Sequence, residues 1–115
     1  MSIATVIVTI CLAGLFAFAS SIKLLGVKQS LAIRDHLGIS PSLWRAIGLL
    51  ELAGVVGALA GLAWWPIGLA AAVGLALLSV GAVVSHVRAT DSVAETVPAA
   101  IGIALAVATA VLQTT

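Results

Sequence analysis

Long apolar runs separated by short polar breaks set the plan of this chain. Four runs stand out, at residues 3–24, 42–64, 66–86 and 94–113. A membrane-crossing helix needs about 20 apolar residues at 1.5 Å each, and the steps from Ile3 to Lys23, Trp44 to Trp64 and Pro66 to His86 each cover about 30 Å, one hydrocarbon thickness. The pattern predicts an all-α membrane protein, a bundle of four transmembrane helices in a single domain over residues 1–115. Ser40 followed by Pro41 marks the start of the second span. "WWP" at 64–66 turns the chain and opens the third. In "RATDSVAETVPAA", Ser92 and Glu95 form a capping box ahead of the fourth, with Pro98 in its first turns. The connection "LGVKQSLAIRDHLGIS" is too polar to cross and too apolar for free coil. Leu31, Arg34, Asp35 and Leu37 between Gly26 and Gly38 predict a short amphipathic helix lying in the interface.

Composition agrees: 63% of residues are hydrophobic and only 8% charged, where soluble domains carry about a quarter, so the chain lacks the polar surface that water contact demands. A net charge of +1 with five thinly spread Lys and Arg residues excludes a nucleic-acid footprint. The N-terminus has no basic leader segment and its apolar run is too long for a signal peptide, so it reads as a retained span. Cys11 is alone, forms no internal disulfide and reads as a packing residue. Lys23, Lys28, Arg34 and Arg45 flank the first connection and Arg88 lies in the third, while the second connection and both termini have none. The positive-inside rule then predicts that the first and third connections face the cytoplasm and that both termini lie outside.

Helices in lipid associate through close packing and polar contacts. Gly57 with Gly61, Gly54 with Ala58, Gly74 with Gly81, and the Ala100, Ala104, Ala108 stripe supply small faces for a tight bundle and for a homo-oligomer. Glu51 is the anomaly. A carboxylate this deep must face the interior and be paired or protonated, and helical spacing places Trp44, Gly48, Gly54 and Ala58 on its face. Lys23 ends the first span and His86 the third, so both fall in the same half of the bundle as Glu51, with Ser79 on the His86 face and Arg45 and Arg88 nearer the interface. The ionisable side chains thus predict a cytoplasm-facing polar pocket, its other end closed by aliphatics, Trp64 and Trp65.

Blander roles stand beside these. Lys23 and Arg45 can snorkel to the interface, and His86 can serve only the helix C-terminus. Arg88, Asp91 and Glu95 can be solvated loop charges, with His36 on the surface beside Asp35. No nucleophile elbow, HExxH, phosphate loop or CxxC is present. Two histidines predict no metal centre, with a single axial haem ligand from His86 the one exception left open.

"SSIKLLG", "RAIGLLELAGVVGALAGL" and "AAAVGLALLSVGAVVSHVR", carrying Lys23, Arg45, Gly48, Glu51, Gly54, His86 and Arg88, resemble the DoxX-like family of small four-helix bacterial membrane proteins. The resemblance implies a link to quinone-facing subunits and membrane redox, although the chain has no extra redox domain or cysteine pair. The leading expectation is a protein that binds a hydrophobic small molecule, with quinone as the candidate cofactor, and works with a membrane redox partner. Its ligand-binding set is Lys23, Glu51, Arg45, His86, Arg88, Gly48 and Gly54. The alternatives are a cofactor-free acid–base enzyme, an isomerase or epoxide-opening catalyst using Glu51 and His86, and a proton-coupled transporter or scaffold.

Overall fold

The computed structural model describes all residues, 1–115. It contains five helices and no strand: α1 (Ile3–Leu24), α2 (Lys28–Leu37), α3 (Pro41–Ala60), α4 (Trp65–Arg88) and α5 (Val93–Gln113). Four of them, α1, α3, α4 and α5, are long and apolar enough to cross a membrane, which makes the chain an integral, multi-pass membrane protein. The fifth, α2, is the short helix expected between the first two spans.

Local chemistry sets the ends of these helices. Ser2 and Ser40 accept hydrogen bonds from the backbone N–H groups of Thr5 and Leu43, capping α1 and α3. Ser92 and Glu95 make the full capping box at α5. Gly26 and Gly38 bracket α2 with φ of 66° and 70°, a conformation that costs glycine nothing and lets the chain leave each helix sharply. The second span is shorter than its apolar run: α3 stops at Ala60, and Gly61 to Ala63 form the turn into α4. The run predicted helix to Trp64 because a hydrophobic turn carries the same composition as the helix before it. Trp64 instead caps α4, and α4 and α5 each begin one residue earlier than predicted.

Around the bundle the order is α1, α3, α4, α5 and back to α1, so each spanning helix packs against two antiparallel neighbours. Leu12, Ala13, Phe16, Val55, Ala58, Leu75 and Ala106 form the central core. Small residues bring α3 and α4 together: a methyl group on Gly54 would stand 2.5 Å from Leu75 Cδ2, and one on Gly57 2.7 Å from Ala71 Cβ. Gly74 and Gly81 face open space instead. Cys11, expected inside, faces outward from α1.

The topology collects the C-terminus of α1, all of α2, the N-terminus of α3, the C-terminus of α4 and the N-terminus of α5 at one end. The opposite end is less apolar than expected. Thr5, Thr9, Thr109 and Gln113 are all buried there, and the Gln113 amide donates to Thr9 Oγ1 and the Ala58 carbonyl, each at 3.1 Å.

Candidate functional site

At the end where the charges gather, the structure builds two polar groups. The first is an ion pair between spanning helices. Lys23 lies in the last turn of α1 and Glu51 at mid-length in α3, and their side chains meet at 2.9 Å with only 12% and 6% of their surface exposed. Gly48 makes this possible, because its missing side chain leaves space that Lys23 Cβ and Leu24 fill. Trp44 covers the pair, its ring centroid 4.9 Å from Lys23 Nζ, close enough for a cation–π contact. The indole N–H of Trp44 donates to Ser30 Oγ at 2.9 Å, which docks α2 onto α3. Trp44, Gly48, Glu51, Gly54 and Ala58 are all buried, so the single helical face inferred from their spacing is the inward face of α3.

Lys23 also donates to the Ala19 carbonyl at 3.5 Å. Lys23 is the one polar partner of Glu51, whose carboxylate contacts it through Oε1. An ionised carboxylate has about four acceptor sites, so most of the acceptor capacity of Glu51 is unused.

The second group centres on Asp91. His36 Nε2, from α2, lies 2.6 Å from Asp91 Oδ1, and His86 Nδ1, from the last turn of α4, lies 2.6 Å from Oδ2. Each imidazole N–H donates to one carboxylate oxygen. The Asp91 side chain is 4% exposed, which corrects its reading as a solvated loop charge. The hydrogen bonds from His36 and His86 hold its carboxyl below the usual aspartate range, and the hydrogen bond to Asp91 raises His36 above the ordinary histidine value. Glu95 stands next to His36 and Asp91 while capping α5.

Lys23 and Glu51 are therefore in direct contact, whereas His86 bonds to Asp91 and makes no bond with Glu51. Arg45 and Arg88 are exposed and without ion pairs, and Arg34 pairs with its neighbour Asp35 at 3.0 Å. The sequence reading missed three participants: Ser30, fully buried under Trp44, and the partnership of His36 with Asp91. The one available signal was the position of both connections at the same end of the bundle.

An apolar groove of about 580 Å³ opens between α3 and α4. It is walled by residues including Leu50, Gly54, Gly57, Ala71 and Leu78, and its α3 wall runs past the turn that carries Glu51, although Lys23 and Glu51 are not among its lining residues. Its size falls within the roughly 300–1,000 Å³ of small-molecule sites. No curated protein and no solved structure matches the chain. The sequence profile of the DoxX-like family matches residues 7–109, from the second turn of α1 to near the end of α5, and on that match the chain belongs to the DoxX-like family.

Proposed function

We propose that the protein binds a lipid-soluble molecule with a small polar head, a quinone or its quinol, at the Lys23–Glu51 pair, and supports a membrane redox reaction whose electrons come from a partner protein. The observation that supports this reading is a buried carboxylate with one cationic neighbour and unused acceptor sites. Burying such a group is costly unless its remaining lone pairs are satisfied, and a quinol hydroxyl is a donor of the right kind. The Lys23 ammonium has three N–H donors and offers the complementary partner for a quinone carbonyl. The groove between α3 and α4 gives an apolar tail a surface next to the same turn of α3. With the basic residues of the first and third connections at this end, the head group sits toward the cytoplasm.

The test uses Trp44 as reporter. In a Trp64→Phe/Trp65→Phe background, only Trp44 fluoresces, and a short-chain ubiquinol analogue, held reduced so that its hydroxyl can donate to the Glu51 carboxylate, should quench it saturably when added to protein in detergent. Glu51→Gln should keep the helical content and elution volume of the parent and lose the saturable quenching. A folded Glu51→Gln protein that quenches with the parent's affinity would remove Glu51 from the site and the proposal with it.

A further inference from the structure

We propose that His36, Asp91 and Glu95 form a binding site for a divalent first-row transition ion of the Zn²⁺ class at the membrane surface, with His86 positioning the Asp91 ligand. One ligand atom from each of the three lies within 4.8 Å of the other two. Asp91 and Glu95 lie four residues apart where the chain enters α5, and His36 comes from α2, so the fold brings the imidazole to a pair of carboxylates that the local sequence sets side by side. A metal ion holds imidazole nitrogen and carboxylate oxygen at about 2.0–2.2 Å, so modest side-chain rotations bring His36 Nε2, Asp91 Oδ1 and Glu95 around one centre.

Three features distinguish this group from a chance meeting of surface charges. The Asp91 carboxylate is 4% exposed, although it lies in a connection. Its second oxygen is already bonded to His86 Nδ1 at 2.6 Å, the arrangement by which an outer hydrogen bond fixes a ligating carboxylate. Both hydrogen bonds to Glu95, from Ser92 N–H and Ser92 O–H, fall on Oε1, so its other oxygen can turn to a metal while the helix cap is kept. His36 is half exposed, which gives an ion a way in from water. Imidazole among the ligands selects Zn²⁺, Co²⁺ or a neighbouring ion over Mg²⁺ and Ca²⁺, which prefer oxygen alone. To bind, the ion needs the lone pair of His36 Nε2, so the ring either gives a proton to water or carries its hydrogen on Nδ1. Three protein ligands leave at least one position for water. The bound ion joins α2 to the α4–α5 junction, a role independent of any ligand at Lys23–Glu51.

The experiment takes full-length protein purified through a histidine-free tag, stripped with chelator and titrated with Zn²⁺ by calorimetry, with Co²⁺ as spectroscopic probe. One Zn²⁺ per chain is expected, with Co²⁺ visible bands of a low-coordinate nitrogen–oxygen site and a Zn²⁺-dependent rise in thermal midpoint. Asp91→Asn and His36→Gln should abolish binding. His86→Gln should weaken it about 10–100-fold without abolishing it, the range for losing an outer partner of a ligand. Circular dichroism and elution volume certify that each variant is folded. No stoichiometric Zn²⁺ binding by the parent, or equal binding by folded Asp91→Asn, overturns the site. Abolition in His86→Gln equal to that in His36→Gln overturns the positioning role.

Discussion

Lys23 Nζ stands 2.9 Å from Glu51 Oε1, and no other ion pair joins two spanning helices. The two residues differ in what each can do alone. Lys23 lies in the last turn of α1, where a long aliphatic stem lets its ammonium reach the interface. Glu51 lies near the middle of α3, on a short side chain, and has no such exit.

Removing one partner is therefore expected to have unequal effects. Lys23→Met strands the carboxylate and should cost about 3–5 kcal/mol, the range for breaking a buried pair. Glu51→Gln keeps an acceptor for Lys23 and should cost less, about 1–3 kcal/mol. Lys23→Met/Glu51→Leu together should recover most of the parent's stability, because two well-packed apolar residues need no pairing. Unfolding in mixed micelles, followed by circular dichroism, measures all three. A double variant as unstable as Lys23→Met would show that packing around the pair, and not its charge, sets the cost.

Glycines identical in sequence character should respond oppositely to alanine. A methyl on Gly68 would collide with the Gln113 amide oxygen and stand 2.7 Å from the Gly61 Cα, at the turn where α3 meets α4. Gly68→Ala should cost about 1–3 kcal/mol as an overpacked contact. Gly74 and Gly81 have nothing within 4 Å of the added methyl. Gly74→Ala and Gly81→Ala should leave the thermal midpoint unchanged or raise it, since alanine favours helix over glycine. Thermal unfolding followed by size-exclusion chromatography separates the outcomes; a loss at Gly74 as large as that at Gly68 would contradict the packing.

These glycines mark the boundary of what the sequence makes legible. The spans are readable because the bilayer imposes a length and excludes charge, and the caps at Ser40 and Ser92 because orphan N–H groups need an acceptor close in sequence. The inward face of Glu51 is readable from helical spacing alone. Which small residues touch a neighbour is not, since Gly54 and Gly74 have the same composition around them and differ only in how α3 and α4 are rotated. His36 and Asp91 are separated by the whole of α3 and α4, and their contact depends on how α2 folds back on the bundle, which no periodicity encodes. Gln113 ends an apolar helix and reads as a residue at the water boundary, yet its amide is buried against α1 and α3.

Ser30 offers a test of how α2 is held. It is fully buried and accepts the Trp44 indole N–H. Ser30→Ala leaves that donor unpaired and should cost about 1–3 kcal/mol. Trp44→Phe removes donor and ring edge together while leaving an aromatic face for Lys23, so it should lose the α2 contact and keep the cation–π contact. Hydrogen exchange in α2 should rise in both variants, with α3 unchanged below its first turn. Protection of α2 equal to the parent's in Ser30→Ala would show that the hydrogen bond does not dock the helix.

The Asp91 group gives α2 a pH dependence, read in chelator-treated, metal-free protein. His36 has its value raised above the ordinary 6.5 by Asp91, so its contribution is complete below about 6.5 and is lost as pH rises through the raised value. Asp91 has its value lowered from the ordinary 3.8, so its contribution is complete above about 3.8 and is lost as pH falls through the lowered value. Both are present together between those ordinary values. After correction for intrinsic exchange rates, amides of α2 should be better protected at about pH 5.5 than at about pH 8.5. In Asp91→Asn, which cannot pair with a protonated imidazole, the difference should vanish. Protection that is the same at both values in the parent, or greater at the higher one, would mean that the His36–Asp91 contact does not hold α2 in place.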